Sequence, residues 1–161
     1  MGYLLTKDKF KKRWFFIMDT KLKELIDGLN EDLANEYAAA IMYTNYAAVV
    51  TGLYCQVLKP FFEEEIPDEQ GHALYLAEKI KTLGGEPTTT PAAVKQTSNV
   101  KEMLEEGRKA EAETIKRYTA RKEQASELGY TELVVKIEDM IADETHHLEE
   151  FDRILQDPAF N

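Results

Sequence analysis

The sequence predicts an all-α protein, a bundle of four helices with a long connection between the second and the third. Long stretches rich in Ala, Leu, Glu and Lys favour helix. Apolar residues recur in these stretches at intervals of three and four, which is the period of an amphipathic helix. The five prolines fall mostly in or beside expected loops. With 161 residues, the chain is long enough for one domain with a substantial core.

Charge and cysteine content narrow the classes of function. The formal net charge is −10, from 30 acidic and 20 basic residues. A nucleic acid is therefore not an expected partner, because phosphate binding needs clustered Lys and Arg, whereas an acidic surface suits cations. The single cysteine, Cys55, excludes an intramolecular disulfide framework. The chain also shows no transmembrane run and no secretory signal, so we expect a cytoplasmic protein.

Residues 1–18 form a basic and aromatic segment that precedes the domain expected over residues 19–157. In this segment five bases and one acid are interleaved with aromatic and aliphatic residues. One interpretation is an amphipathic arm that docks on a membrane or on a partner protein. The other, which we favour, is a poorly ordered extension upstream of a natural start at Met18.

Four helices are expected in order along the remaining chain. Their approximate ranges are 21 or 30 to 51, 56 to 83, 99 to 128 and 131 to 155. Glycines end the second and third helices. The segment from 84 to 99 has no helical periodicity, and at about 3.1 Å per residue it can extend roughly 50 Å, enough to run from one end of a bundle to the other. Pro67 lies inside the second helix, so we expect a kink or an irregular turn there.

One carboxylate interrupts the apolar face of each expected helix, and a histidine joins it on two of them. The acids are Glu36, Glu69, Glu111 and Glu144, and the histidines are His72 and His147. Each histidine follows a glutamate at position i+3, which places both side chains on one helix face. Their neighbours Glu113 and His146 fall on polar faces, so we exclude them from the candidate site.

The spacing of the candidate residues repeats in the two halves of the chain. The interval from Glu36 to Glu69 equals the interval from Glu111 to Glu144. In each half a tyrosine follows the first glutamate at position i+7, two turns along the same face; these are Tyr43 and Tyr118. The two helix pairs therefore look like copies, related by the constant offset that carries Glu36 to Glu111.

Four buried carboxylates need compensating charge, because an unpaired buried charge costs on the order of several kcal/mol. Lys and Arg are absent from these helix faces near the acids. Two divalent cations would supply the missing positive charge, and the two imidazoles would complete their coordination. Mixed carboxylate and imidazole ligation suits iron or manganese better than calcium or structural zinc.

This pattern resembles the ferritin-like di-iron carboxylate proteins, in which one Glu from each of two helices meets Glu-x-x-His from each of the other two. The resemblance covers about residues 20–155, and residues 68–87 and 100–104 are most similar to the bacterioferritin and Dps-like branch. It implies paired roles for the six residues: Glu69 and Glu144 bridge two iron ions, Glu36 and Glu111 bind them terminally, and His72 and His147 each hold one. It also implies that Tyr43 hydrogen-bonds a terminal carboxylate across the site, with Tyr118 as the weaker counterpart.

The sequence departs from the family pattern at several points. Gln70 stands where bacterioferritin has its haem-binding Met, so haem is not expected. Residues for the short fifth helix of 24-subunit ferritins are lacking, which counts against that cage. Cys55 lacks the second cysteine that Dps-like proteins often carry near the site, and Thr114 stands where rubrerythrins have a further Glu.

The resulting hypothesis is a ferroxidase that oxidises Fe(II) to Fe(III) with O2 or H2O2. Manganese or zinc could also occupy the metal site. We expect Glu65 to guide cations into the bundle. A homo-oligomer is expected, and a shell would permit iron storage or protection from oxidative stress. Two alternatives remain. One is a di-iron oxygenase or oxidase with a small organic substrate, for which small residues of the first helix would leave a tunnel: Ala38, Ala39, Ala40, Ala47 and Ala48. The other is a non-enzymatic protein docked through the basic arm.

Overall fold

Four helices form the protein, which a computed structural model describes for the backbone of residues 2–160 and the side chains of residues 17–160. They are α1 (Gly2–Val49), α2 (Cys55–Thr82), α3 (Val100–Glu127) and α4 (Thr131–Leu155), and a 3-10 turn follows over Pro158–Phe160. Helix α1 packs against α2, α3 packs against α4, and α1 also contacts α3. The predicted four-helix bundle with a long connection between the second and third helices is confirmed.

The expected helix ranges agree with the structure except at the start of α1. This helix begins at Gly2 rather than near position 21 or 30. From Tyr3 to Met18 the sequence contains neither proline nor glycine, so no helix-breaking residue interrupts it there. The side chains of residues 1–16 lie outside the described part of the chain. Both interpretations of the basic segment therefore stay predictions.

Pro67 does not interrupt α2. The helix continues without an irregular turn from Cys55 to Thr82, although it contains both Pro60 and Pro67. A proline removes one backbone donor, but the neighbouring hydrogen bonds of the helix can persist around it. Pro67 is exposed, so solvent can solvate the carbonyl group that loses its donor. The expected irregular turn is therefore wrong, whereas the alternative of a kink at Pro67 stays a prediction.

The core consists of two hydrophobic clusters separated by a polar layer. One cluster includes Leu29, Leu33 and Ile137, and the other includes Phe62 and Phe151. On every helix the candidate carboxylates and histidines lie between the residues of the two clusters. The bundle therefore holds these polar groups in its middle, where both ends are closed by apolar side chains.

The connection between α2 and α3 runs along α1. The side chain of Asn30 accepts a hydrogen bond of 2.7 Å from the backbone of Thr88. Farther along α1, the Tyr46 hydroxyl donates to the carbonyl oxygen of Lys95 over 3.2 Å. Asn99 then caps α3. None of the helices in the described part of the chain combines the length and hydrophobicity that crossing a lipid bilayer requires.

Candidate metal centre

Six polar side chains from all four helices converge in the middle of the bundle. They are Glu36 from α1, Glu69 and His72 from α2, Glu111 from α3, and Glu144 and His147 from α4. Their relative exposures range from 0% to 6%. The neighbouring Glu113 and His146, in contrast, are exposed. The helical period thus places these six groups inward because each lies on the stripe that also carries the core residues.

The six residues form two groups that could each hold a metal ion. One group is Glu36, Glu69, His72 and Glu144, and the other is Glu69, Glu111, Glu144 and His147. Within a group, one ligand atom from each residue lies within 4.8 Å of the others. Glu69 and Glu144 belong to both groups, so two ions would share these two carboxylates.

His72 directs one ring nitrogen to the carboxylates and the other to the bundle surface. Its Nδ1 lies 3.0 Å from Oε1 of Glu144 and 3.6 Å from Oε2 of Glu36. Its Nε2 lies 3.5 Å from Oδ2 of Asp143. When Nε2 carries the proton and faces the aspartate, the lone pair of Nδ1 points at the buried carboxylates, which is the arrangement of a metal-binding histidine.

His147 repeats this arrangement in the other half. Its Nδ1 lies 3.0 Å from Oε2 of Glu65 and 3.2 Å from Oε2 of Glu144. Its Nε2 lies 3.6 Å from Oδ2 of Asp68. Each histidine therefore contacts the aspartate of the opposite half, and both Nδ1 atoms face the interior.

Two buried tyrosines hydrogen-bond the carboxylates of α1 and α3. The Tyr118 hydroxyl donates to Oε1 of Glu36 over 2.6 Å, and the Tyr43 hydroxyl donates to Glu111. Burial raises the pKa of both tyrosines, so they remain protonated donors. Each tyrosine thus orients the carboxylate that belongs to the other half.

The metal-free site retains protons at neutral pH. Burial, reinforced by neighbouring carboxylates, raises the pKa of Glu69 and Glu111 well above the ordinary value. Burial also raises the pKa of Glu65 to about 7. For His72 burial lowers the pKa, but contacts with Glu144 and Glu36 outweigh it and raise the pKa to about 10. Protons on these groups therefore offset part of the buried negative charge.

Buried polar atoms without hydrogen-bond partners indicate whether metal ions fit this site. In the described part of the chain five buried side-chain N or O atoms lack such a partner. Four belong to the centre: Oε2 of Glu36, Oε2 of Glu65, Nδ1 of His72 and Oε1 of Glu144. Buried polar atoms are almost always satisfied, and metal coordination would satisfy these. The carboxylate and imidazole donors also suit iron and manganese. The residues therefore fit a pair of divalent ions.

Sequence reasoning missed two features beside the centre. The first is the contact of Glu65 with His147: the sequence predicts only that Glu65 guides cations inward. The second feature is a buried ion pair between Asp32 and Arg121, with distances of 2.7 and 3.3 Å. Its signal was present, since Arg121 follows Tyr118 at position i+3 and Asp32 precedes Glu36 by one helical turn. Both charged residues therefore share a helix face with a candidate site residue.

Comparison with known proteins agrees with this geometry. The model of the ferritin-like domain family matches residues 26–159. A structure from Bacillus anthracis str. Ames, described as ferritin like, diiron-carboxylate proteins, is 70% identical with a TM-score of 0.83, and covers 84% of this chain and 98% of its own. The bacterioferritin of Desulfovibrio desulfuricans is 28% identical with a TM-score of 0.78, covering 85% of this chain and 81% of its own.

A third similar structure is the dodecameric thioferritin of Bacteroides fragilis, a bacterioferritin-related protein. It is 26% identical with a TM-score of 0.78, and covers 92% of this chain and 95% of its own. No curated protein matches the sequence significantly. The family model spans most of the chain, and the buried carboxylates and histidines lie within the matched range. The chain therefore belongs to the ferritin-like domain family.

Proposed function

We propose that the protein is a ferroxidase, which binds two Fe(II) ions in the bundle and oxidises them to Fe(III) with O2 or H2O2. The observation that carries this proposal is the pair of overlapping ligand groups that share Glu69 and Glu144. Two ions held by shared carboxylates lie close enough to deliver their electrons to one oxidant. Similarity to a diiron-carboxylate protein at 70% identity supports iron as the metal.

Under this proposal the ligands have paired roles. Glu69 and Glu144 would be shared by the two ions, Glu36 and Glu111 would each hold one ion, and His72 and His147 would complete the two positions. The hydrogen bonds from Tyr118 and Tyr43 would hold the two terminal carboxylates in place. These tyrosines are therefore positioning residues rather than ligands.

The two Fe(II) ions supply the two electrons that the proposed reaction needs. Each Fe(II) gives one electron, so the pair reduces O2 with two protons to H2O2, or H2O2 with two protons to water. The protein contributes a buried site with fixed acceptors, which stabilises the higher charge of Fe(III). The protons that the metal-free carboxylates and histidines carry must leave when the ions bind.

The test is an anaerobic titration of the metal-free protein with Fe(II), followed by addition of oxygen. We expect about two ions per chain to be oxidised faster than Fe(II) in buffer. The variant His147→Ala should lose this rapid phase. His146→Ala is the matched control, because this adjacent histidine is exposed and should leave the reaction unchanged. Oxidation no faster than in buffer would refute the proposal.

A second candidate is oxidation of a small organic substrate at the same centre. The observation in its favour is a cavity of about 170 Å³ between α1, α3 and the connection, lined by apolar residues such as Ala38, Met42 and Val94 and by charged residues such as Lys109 and Glu113. None of the six candidate ligands lines this cavity. Ferroxidase activity is therefore the proposal that the geometry supports better, and turnover of an added aldehyde or hydrocarbon would reverse that preference.

Iron storage is proposed only as a consequence of assembly. Storage of a mineral requires a closed shell, and the thioferritin of Bacteroides fragilis is dodecameric. Size-exclusion chromatography with light scattering, run with and without iron, distinguishes a shell from a dimer. A mass of two chains under both conditions would leave oxidation without storage.

A further inference from the structure

The two halves of the centre differ at one buried position. The offset that carries Glu36 to Glu111 pairs each candidate ligand with another of the same type, and it also pairs Asp68 with Asp143. The same offset pairs Glu65 with Met140. The side chains of this last pair are both buried, at 3% and 0% relative exposure. One half therefore carries a carboxylate where the other carries an uncharged thioether.

This extra carboxylate lies against one histidine. Oε2 of Glu65 is 3.0 Å from Nδ1 of His147, closer than the 3.2 Å from the same nitrogen to Glu144. That oxygen is buried, and its approach to Nδ1 does not have the geometry of a hydrogen bond. Nδ1 of His147 is the atom that faces the ion position, so a cation bound there would lie beside Glu65.

In the other half, the carboxylate beside the histidine is Glu36, which is the counterpart of Glu111 and not of Glu65. It lies 3.6 Å from Nδ1 of His72 and is one of the four ligands of that group. Around His147 the four grouped residues already include Glu111, so Glu65 adds a fifth side chain to that position. The two positions therefore differ in charge: each has its own terminal carboxylate, but only the His147 position has a second one.

We propose that Glu65 is a further metal ligand, and that it makes the ion position beside His147 bind divalent cations more tightly than the position beside His72. The inference rests on the proposed function for the identity of the metal site, and it adds the order in which the two ion positions are occupied. The His147 position would fill first, because four carboxylates, including the two shared ones, surround it, against three at the His72 position. The second ion completes the pair at the His72 position.

The alternative to a ligand is a counter-ion, in which Glu65 pairs with a protonated His147 and leaves when an ion binds. The two roles differ in their effect on metal affinity. A ligand strengthens cation binding, so its removal weakens it. A counter-ion stabilises the competing proton, so its removal leaves binding unchanged or strengthens it.

Cobalt(II) provides a redox-inert probe that does not depend on turnover. Its titration into metal-free wild-type protein, followed by visible absorption and calorimetry, should show two steps of unequal affinity. Glu65→Gln should weaken the tighter step by about 10- to 100-fold, the range typical when a supporting group of a metal site is removed. Glu64→Gln, an exposed neighbour on α2, is the matched control and should leave both steps unchanged.

Variants that keep only one ion position show which half of the centre Glu65 affects. His72→Ala retains the position beside His147, and His147→Ala retains the position beside His72. Glu65→Gln should weaken cobalt binding in the first background and not in the second; Glu65→Asp, which keeps the charge, should restore part of the loss. Equal steps in wild type, or no weakening in the first background, would overturn the inference. If such a protein still oxidises Fe(II) rapidly, the ferroxidase proposal survives; absence of any cobalt binding would refute both.

Discussion

Tyr118 donates a hydrogen bond of 2.6 Å to Glu36, and this bond joins α3 to α1 across the centre of the bundle. Both residues are fully or almost fully buried, at 0% and 1% relative exposure. The equivalent bond in the other direction joins Tyr43 to Glu111. The tyrosine of each half thus orients the first carboxylate of the other half, which ties the two helix pairs together at the level of the site.

Removal of the Tyr118 hydroxyl should destabilise the metal-free protein. A hydrogen bond to a charged group contributes about 1.5–3 kcal/mol, and Tyr118→Phe would leave a buried oxygen of Glu36 without its donor. Urea unfolding of the metal-free protein measures the loss. Tyr37→Phe serves as the control, because Tyr37 is on the same turn as Glu36 but partly exposed. Equal stabilities of the two variants would contradict a structural role for this hydrogen bond.

Glu111→Gln should raise the stability of the metal-free protein at alkaline pH and lower its affinity for metal. The amide keeps an acceptor for Tyr43 but cannot ionise beside the other buried carboxylates, so at alkaline pH the metal-free variant should unfold at a higher temperature than wild type. The affinity for Fe(II) or cobalt(II) should fall by at least about 10- to 100-fold, since even groups that only support a ligand contribute that much. Thermal unfolding with and without metal measures both effects.

The exposed Glu113 provides the control for this prediction. Glu113→Gln removes the same charge from a nearby position on the same helix, on a face that solvent reaches. It should change neither the metal-free unfolding temperature nor the stabilisation by metal appreciably. A Glu113 variant with the metal-binding defect expected of Glu111 would show that the site uses a different face of α3.

The sequence predicts the position of the centre well because three independent patterns coincide there. Helical periodicity places Glu36, Glu69, Glu111 and Glu144 inward, their spacing is the same in both halves, and four buried acids need cations. Periodicity assigns a helix face to a residue, but it does not identify the neighbour that the residue meets across the bundle. The contact of Glu65 with His147 depends on the relative rotation of α2 and α4, which no local pattern contains.

Helical spacing indicates an inward face for Arg121, but its partner across the bundle could not be predicted, for a similar reason. Its guanidinium occupies the space that a side chain at Gly28 would fill, and it reaches Asp32 on the same helix as that glycine. A glycine in a helix is usually read as a weak helix former rather than as space for a distant arginine. The extent of α1 was also missed, because apolar periodicity reports packing against a partner, whereas a helix without breakers can continue where such a pattern is absent.

Without metal, the protein should become less stable as the pH rises from about 5 to about 8. The pKa of Glu65 is raised to about 7 and that of His72 to about 10, so the folded state holds protons that the unfolded state releases. The free energy of unfolding therefore falls through the interval between the ordinary and the raised pKa, which begins near 4.5 for Glu65 and near 6.5 for His72. Glu144, with its pKa lowered to about 2, acts only in acid, where its protonation removes stability.

Bound metal should reverse this trend, because cations bind the deprotonated carboxylates and neutral imidazoles. The difference in Tm between zinc-loaded and metal-free protein should therefore grow from about pH 5 to about pH 8. In Glu65→Gln the metal-free slope should be shallower below pH 7, which separates this residue from the general effect of the acidic surface. A Tm of the metal-free protein that rises with pH would contradict the raised pKa values of Glu65 and His72.

The buried pair of Asp32 and Arg121 should be costly to break from either side. Asp32 is fully buried and Arg121 is 6% exposed, so removal of one partner leaves the other with only a longer ionic contact, to Arg117 at 3.6 Å for Asp32 or to Glu31 at 3.8 Å for Arg121. Such a change costs about 3–5 kcal/mol. Asp32→Asn and Arg121→Met should each approach this loss in urea unfolding. The exposed pair of Lys23 and Asp27, 2.9 Å apart, is the control, and removal of either partner should change the free energy of unfolding much less.

Gly28 provides a second test of the contact between Arg121 and Asp32, because a substitution there has two opposing effects on stability. Ala is favoured over Gly inside a helix by about 1 kcal/mol, so Gly28→Ala would stabilise an ordinary position. Here the added Cβ would overlap the guanidinium of Arg121 and displace it from Asp32. We therefore expect Gly28→Ala to destabilise the protein, and to do so much less in an Asp32→Leu/Arg121→Met background, where the guanidinium is absent. A stabilising effect of Gly28→Ala in wild type would show that the arginine moves without losing its partner.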